Sequence, residues 1–346
     1  MVKDHYKHVL EFIKEHPSLS SSEIHSRLDF DITFASIKRI LTKLVSEELI
    51  LPIGRGKGTK YIISSTYEML HTVDVDSYFE KEIDERVVKE NFNLTLIKDV
   101  LSKMNLFTEE EKLHLEDLHK TYKKNISELS EAEYSKELER LAIDLSWKSS
   151  QIEGNTYSLL ETERLLRDKE TALGKAKDDA TMLLNHKDAL DFIIEDPTYT
   201  FPLTVSRIED IHSLLIKDLN IDRNIRKRRV GITGTNYKPL DNEFQIKEAL
   251  RDTCDLINSK ENVWEKALLM LLLISYIQPF SDGNKRTARI MSNAILIYHG
   301  FCPISFRTID SIDYKKAMLL FYEQNNIVMF KRIFISQYEF AVKTYF

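Results

Sequence analysis

The chain has 346 residues, of which 30% are charged and 42% hydrophobic, and it carries a net charge of -6. That length suits two or three domains, and nothing in the balance marks a disordered, membrane-embedded or polybasic chain, so any nucleic-acid contact has to come from a local patch. Two cysteines, Cys254 and Cys302, lack metal-ligand or redox spacing, and the longest apolar run, Ala267 to Ile277, is too short to span a bilayer. The charged first residues lack the apolar run of a signal peptide, so a cytoplasmic protein without membrane contact is expected.

Tyr6 to His16 has a helical apolar pattern and stops at Pro17. Ser20 with Glu23 forms a capping box for a second helix, and a third from near Thr33 buries Ile37, Ile40, Leu41 and Leu44. Leu49 to Leu51 and Tyr61 to Ile63 read as two strands around a glycine-rich basic turn. Residues 1–66 thereby resemble a winged helix-turn-helix domain, whose third helix would enter a major groove while its wing touches backbone phosphate. Ten Lys/Arg against eight Asp/Glu give this part only a slight positive balance. Lys38, Arg39, Lys43, Arg55, Lys57 and Lys60 nevertheless cluster on the two elements that would face DNA. A protein-interaction module with a solvated basic edge is the other reading.

Residues 67–95 are polar and acidic, which suits a linker or an exposed helix. From residue 96 to 346 helix follows helix, with strand signals almost confined to Val230–Leu240. The expected class is therefore mainly α: a helical bundle with one small β-hairpin, preceded by the winged-helix part.

Val263 to Ile277 is apolar on nearly every face, as in a helix at the centre of a bundle. Pro279 blocks its continuation, Gly283 permits a tight turn, and a new helix starts near Asn284. The free amides and the dipole of that helix start favour an anion. Arg286 and Arg289 share a face and could bracket a phosphate chain, and Asp282 could hold the Mg²⁺ that polyphosphates carry.

The run Pro279-Phe280-x-Asp282-Gly283-Asn284-x-Arg286-x-x-Arg289 resembles the signature of the Fic (filamentation induced by cAMP) family. The resemblance covers roughly residues 125–346 and includes His212, the Arg228 to Gly234 segment and Asn293. It implies a helical Fic-type bundle that transfers AMP from ATP, with Mg²⁺, to a Ser, Thr or Tyr hydroxyl of a target protein, with a homodimer left open. By motif, Phe280 would anchor the loop and Asp282 would bind the metal. Gly283, Asn284, Lys285, Arg286 and Arg289 would hold the nucleotide. The 228–240 segment would be the flap that aligns the target by strand addition, through Thr233, Gly234, Thr235, Asn236 and Tyr237.

Two departures and one further motif qualify this. Gln278 stands where the family has its catalytic histidine, and an amide cannot take the proton of an attacking hydroxyl. Lys285 replaces a common glycine and resembles the Doc branch, which phosphorylates its target. Ser149 to Gly154, within residues 146–155, resembles the family's inhibitory motif, so Glu153 would pair bidentately with Arg289 and displace the γ-phosphate. The leading expectation is an AMP-transferase autoinhibited by Glu153 and weakened at Gln278. The alternatives are a catalytically silent, nucleotide-responsive DNA-binding regulator and a Doc-like kinase or toxin-antitoxin component.

Overall fold

The computed structural model describes residues 2–346, with their side chains except those of residues 2–4 and Lys57. The chain divides into two compact units after Val73.

The first unit contains α1 (Val2–Glu15), β1 (Leu19–Ser20), α2 (Ser21–Arg27), α3 (Phe34–Ser46), β2 (Ile50–Ile53), β3 (Lys60–Ile63) and α4 (Ser65–Leu70). Apolar residues at helical spacing decide its core: Val9 and Ile13 from α1, Ile24 from α2, and Ile37, Leu41 and Leu44 from α3 pack together with Ile50. Ser20 accepts from the Glu23 amide and Glu23 reaches back to the Ser20 amide, the reciprocal cap that starts α2. The strands form an antiparallel sheet in the order β1-β3-β2, with Ile50 opposite Ile63 and Leu19 opposite Tyr61. Gly54 and Gly56, both at positive φ, turn the chain between β2 and β3.

The second unit is helical: α5 (Val75–Phe79), α6 (Glu109–Ser127), α7 (Glu131–Ile152), α8 (Leu159–Asp168), α9 (Lys177–Glu195), α10 (Val205–Leu215), α11 (Glu243–Ser259), α12 (Val263–Ile277), α13 (Asn284–Tyr298), α14 (Ser311–Gln324) and α15 (Val328–Tyr345). As its composition demands, α12 is buried along its length from Trp264 and packs lengthwise on α13. Helices α7, α9, α10, α11 and α14 surround this pair. No helix among the described residues is long and apolar enough to cross a membrane.

Two expectations need correction. The stretch 67–95 is divided rather than left as a linker: α4 belongs to the first unit and residues from 74 to the second. Its acidic residues are solvated, but Tyr78 and Arg86 are buried, and the Lys89 amide donates to the Glu323 carbonyl at 2.7 Å. The segment 228–240, expected as a β-hairpin, forms no strand ladder of its own among the described residues. Its backbone groups are taken by neighbours instead, as the Lys238 amide by the Glu90 carbonyl at 2.6 Å and the Gly234 carbonyl by Arg86.

Candidate functional site

The loop between α12 and α13 is held by its own side chains. Gln278 ends α12 in the left-handed conformation, φ 51°, with its amide still bonded to Ile274. Phe280 is fully buried and stacks on His212 of α10, ring centroids 3.6 Å apart. Asn284 donates from Nδ2 to the Phe280 carbonyl at 2.8 Å and to Gln278 Oε1 at 3.0 Å, and accepts from the Phe280 amide at 2.9 Å. Asn284 is thus spent on shaping the loop. Gly283 is dictated twice over, by φ 78° and by a His212 ring that would lie 3.2 Å from any Cβ. The first bond within α13 is from the Thr287 amide to the Gly283 carbonyl, which leaves the amides of residues 284–286 ahead of the ladder at the positive end of the helix dipole.

In front of this loop lies a cavity of about 550 Å³, lined by Glu153 and Gly154, Val230 to Thr233, Gln278, Ser281 to Arg286, and the Ser311, Lys315 and Tyr322 side of α14. Arg286 is 1% exposed, and its Nε and Nη1 have no hydrogen-bond partner among the described residues. Its Nη2 pairs with Asp282 at 3.5 Å. A buried guanidinium with idle donors on a cavity wall is an anion site in waiting, because such donors carry a desolvation cost until something accepts from them. The Asp282 carboxylate is 65% exposed and also accepts from the Gly283 amide.

Arg289 is fully buried. It donates from Nε to Ser149 Oγ at 2.8 Å and from Nη2 to the Ser149 carbonyl at 3.0 Å and Glu153 Oε1 at 2.7 Å. The bidentate pair expected for Glu153 is therefore split: because Ser149 occupies Arg289 Nε, the second carboxylate oxygen turns to Lys285 Nζ at 3.2 Å. Glu153 lines the cavity whereas Arg289 does not, so the carboxylate stands between them. Gly154, at φ 98°, turns the chain away immediately after it.

Burial would raise the Glu153 carboxyl, but Arg289 and Lys285 outweigh it and hold it below its ordinary value. A depressed folded pKa adds stability that is complete above the unfolded value, about 4.3, and is lost as pH falls through the folded one. Melting temperatures of wild type and Glu153→Gln, measured from pH 7 down to pH 3, should accordingly differ most near neutrality and converge in acid.

Gln278 donates from Nε2 to the Ser275 carbonyl at 2.6 Å while Oε1 accepts from Asn284. Both ends of the amide are engaged, and no histidine lines the cavity. His212 lies beneath the loop with Nδ1 3.2 Å from Thr287 Oγ1, and burial pushes its pKa down to about 4. His186 is fully buried, with its pKa lowered well below the ordinary value by burial first and by Arg289 and Arg286 next.

Of the five residues expected to dock a target, Thr233 lines the cavity, together with its neighbours from Val230. Tyr237 does not: it is 2% exposed, stacked on Tyr276 at 4.7 Å, with its hydroxyl donating to the Tyr276 carbonyl at 2.9 Å. Asn236 donates to Asp84 at 2.9 Å, Thr235 Oγ1 accepts from the Tyr237 amide at 3.1 Å, and the Gly234 carbonyl accepts from Arg86. Sequence reasoning missed Arg226, which is 5% exposed and donates to the Gln278 carbonyl at 2.6 Å, the Arg228 carbonyl at 2.9 Å and the Leu240 carbonyl. It ties both ends of the 228–240 segment to the loop. Within the run Arg226 to Arg229 it reads as one more solvated cation. Lys315 was missed likewise, since nothing in α14 marks it.

In the first unit Lys38, Arg39, Lys43, Arg55 and Lys60 are exposed, and the side chain of Lys57 lies outside the described residues. Lys38 sits over the Phe34 ring at 4.9 Å, and Lys43 is shared between Glu47 at 3.7 Å and the Tyr6 ring.

The chain is 29% identical over 173 residues to the protein adenylyltransferase Fic of Nematostella vectensis, covering 49% of this chain and 40% of that one. It is 26% identical over 160 residues to protein adenylyltransferase fic-1 of Caenorhabditis elegans, covering 44% and 31%. The chain thus spans less than half the length of these curated relatives. Its fold is similar to that of solved Fic-1 from C. elegans, with TM-score 0.60, 20% identity and coverage of 68% and 72%. It is also similar to a Fic domain containing signaling protein from Bacteroides thetaiotaomicron, with TM-score 0.56, 22% identity and coverage of 66% and 94%. Residues 202–296, which run from α10 through the segment at 228–240 and the loop into α13, match the Fic/DOC family model, and the chain carries a domain of that family.

Proposed function

We propose that the second unit is a protein AMP-transferase held in an autoinhibited state by Glu153 and slowed by Gln278. The observation that carries this is the pairing of Arg286, buried with idle donors on the cavity wall, with Arg289, buried behind Glu153. One arginine awaits an anion and a carboxylate stands in for an anion on the other. ATP would lay its phosphates against the start of α13, and a Ser, Thr or Tyr hydroxyl of a target segment alongside Val230–Thr233 would attack the α-phosphorus. Pyrophosphate leaves, and the hydroxyl proton has to be taken up. The two relatives above are named protein adenylyltransferases, which supports the reading.

The residues present fit Mg²⁺. One largely exposed carboxylate, Asp282, at the mouth of a phosphate site is the protein share this ion commonly takes, with phosphate oxygens and water supplying the rest. When bound, the ion would neutralise charge on the phosphates. No group of three or more His, Cys, Asp or Glu side chains suited to a metal occurs among the described residues. That agrees with an ion brought by the nucleotide, and Asp282→Ala should abolish Mg²⁺-dependent ATP binding while leaving the fold intact.

Incubation with α-labelled ATP and cell lysate tests the reading, with wild type, Glu153→Gly and Gln278→His compared. Label on protein in the first two supports a transferase. Label only with Gln278→His supports a second reading, favoured by the doubly bonded Gln278 amide: a catalytically silent, cytoplasmic nucleotide sensor.

For the first unit we propose a winged helix that binds DNA, with α3 in a major groove and the turn between β2 and β3 as the wing. Exposed Lys38 and Arg39 on α3 and Arg55 and Lys60 about the turn support it. Fluorescence anisotropy with duplex DNA at about 50 mM salt should show binding that weakens steeply with added salt. Arg39→Ala with Arg55→Ala should lower both the affinity and the salt slope, and an unchanged titration would leave a protein-interaction module.

A further inference from the structure

The segment at 228–240 would be expected to stand up by pairing its two limbs with each other, and it does not. What holds its carboxyl-terminal limb is residues 84–90. The Lys238 amide donates to the Glu90 carbonyl at 2.6 Å, a parallel bridge joins Asn91 to Lys238, and Lys238 Nζ meets Glu90 Oε2 at 2.7 Å. Asn236 Nδ2 meets Asp84 Oδ1 at 2.9 Å. At the tip of the segment, Arg86 Nη2 donates to the Gly234 carbonyl at 2.6 Å.

Arg86 is itself immobilised. It is 8% exposed, lies over the Phe79 ring at 5.2 Å, and pairs at 3.3 Å with Glu323, a fully buried residue of α14 that also accepts from the Tyr78 hydroxyl at 2.6 Å. The neighbouring residues of α14, Leu319 and Tyr322, line the cavity. A buried guanidinium anchored to a wall of the site therefore grips the tip carbonyl of the segment that overhangs it. Such a bond is charge-assisted and little screened by solvent.

The geometry points to Arg86 as a positioning residue that sets the height of the flap over the cavity, with residues 84–91 lying along its outer limb and tied to it by side-chain contacts and one isolated bridge. The inner limb, Val230–Thr233, lines the cavity and is the edge left for an extended target segment. The chain is suited to this place. Between Tyr78 and Thr95 it has no Ser, Thr or Tyr, so the segment that lies on the flap offers no hydroxyl to the transfer reaction. The consequence for target docking rests on the transfer reading above, whereas the rigidity of the flap does not.

The test is hydrogen exchange on the full chain, comparing wild type with Arg86→Met combined with Glu323→Gln, which removes both buried charges together. Amides of residues 231–238, Tyr237 and Lys238 foremost, should exchange at least tenfold faster, while those of α13 stay unchanged. Arg86→Lys, keeping the charge but not the fork, should give an intermediate rate. Should the double variant not fold, Asp84→Ala with Glu90→Ala, which removes two exposed contacts and buries no charge, should move the same amides in the same direction. Unchanged exchange at 231–238, or acceleration spread evenly over residues 74–346, overturns the assignment. In a transfer assay with Gln278→His as the parent, loss of Arg86 should raise the KM for the protein target and leave that for ATP. If no variant transfers label, the exchange result still decides the flap's anchorage.

Discussion

Replacing Gln278 by histidine should raise AMP transfer by roughly 10²- to 10⁴-fold, the usual worth of a positioned base. The cavity already supplies what the base would serve: a helix start, Arg286 with idle donors, and the Asp282 carboxylate. What it lacks is a basic atom beside the target hydroxyl. Among the lining residues the carboxylates are Glu153, engaged by two cations, and Asp282, engaged by the loop amide and Arg286. An imidazole at 278 inherits a backbone already shaped for it, since the left-handed turn and the Pro279 and Phe280 packing do not depend on the Gln278 side chain. Its amide donates to the Ser275 carbonyl and accepts from Asn284, and a ring nitrogen can replace either. Transfer of label from ATP, followed with target-containing lysate at pH 7.5, is the measurement. A Gln278→His protein no faster than wild type would show that the slow step lies elsewhere, in the Glu153 lock or in the flap.

Glu153→Gly has the second large effect, with opposite signs on the free and the nucleotide-bound protein. Without nucleotide the substitution strips Arg289, fully buried, of its carboxylate and Lys285 of its partner. Breaking a buried pair costs about 3 to 5 kcal/mol. Glu153 keeps 20% exposure and Ser149 still accepts twice from Arg289, so a loss of about 1 to 3 kcal/mol and a melting temperature lower by several degrees are expected. With ATP the same two cations become available to phosphate oxygens, and a charge-assisted bond worth about 1.5 to 3 kcal/mol corresponds to about 10- to 150-fold tighter binding. Calorimetry with ATP and Mg²⁺ reads the affinity, and thermal melts with and without ATP read the crossover. Equal affinities in wild type and variant would reduce Glu153 to a structural ion pair. Lys285→Ala separates the two cations: if Lys285 mainly restrains Glu153, its loss loosens the lock and favours ATP, and if it mainly serves phosphate, its loss weakens ATP binding in the Glu153→Gly background as well.

Much of the site is legible in the linear sequence because local chemistry writes it there. The apolar run of α12, then Pro279, then glycine at 283 specify helix, stop and turn without help from distant residues. The capping pairs Ser20 with Glu23 and Ser158 with Glu161 announce two helix starts in the same local way. Gly283 marks a position where no side chain fits, and Gly154 one that must turn sharply after a carboxylate. Charge and aromatic character were less informative, since they say what a residue can do and not whom it meets. Tyr237 reads as part of a segment that would align a target by strand addition, and its side chain is a buried anchor. Asn284 reads as a phosphate ligand, and its side chain is the staple of its own loop, which leaves the backbone amide as the group it can offer. The acidic stretch before residue 95 reads as a linker, yet Tyr78 and Arg86 carry it into the helical unit.

Local sequence pattern alone gives a helical bundle, a helix-stop-turn at 278–289 with the residue types of an anion site, a glutamine at 278 and a carboxylate at 153 that could oppose an arginine. Only the tertiary structure decided how that carboxylate is shared, because Ser149 takes Nε of Arg289 and leaves the second oxygen to Lys285. Only it decided, too, that the flap is no free-standing hairpin but is gripped by Arg86 and Arg226. Both outcomes turn on which donors reach which oxygens across 50 to 150 residues of chain, and hydrogen-bond partners at that separation are set by packing of the helices between them, which no local pattern of residue types encodes.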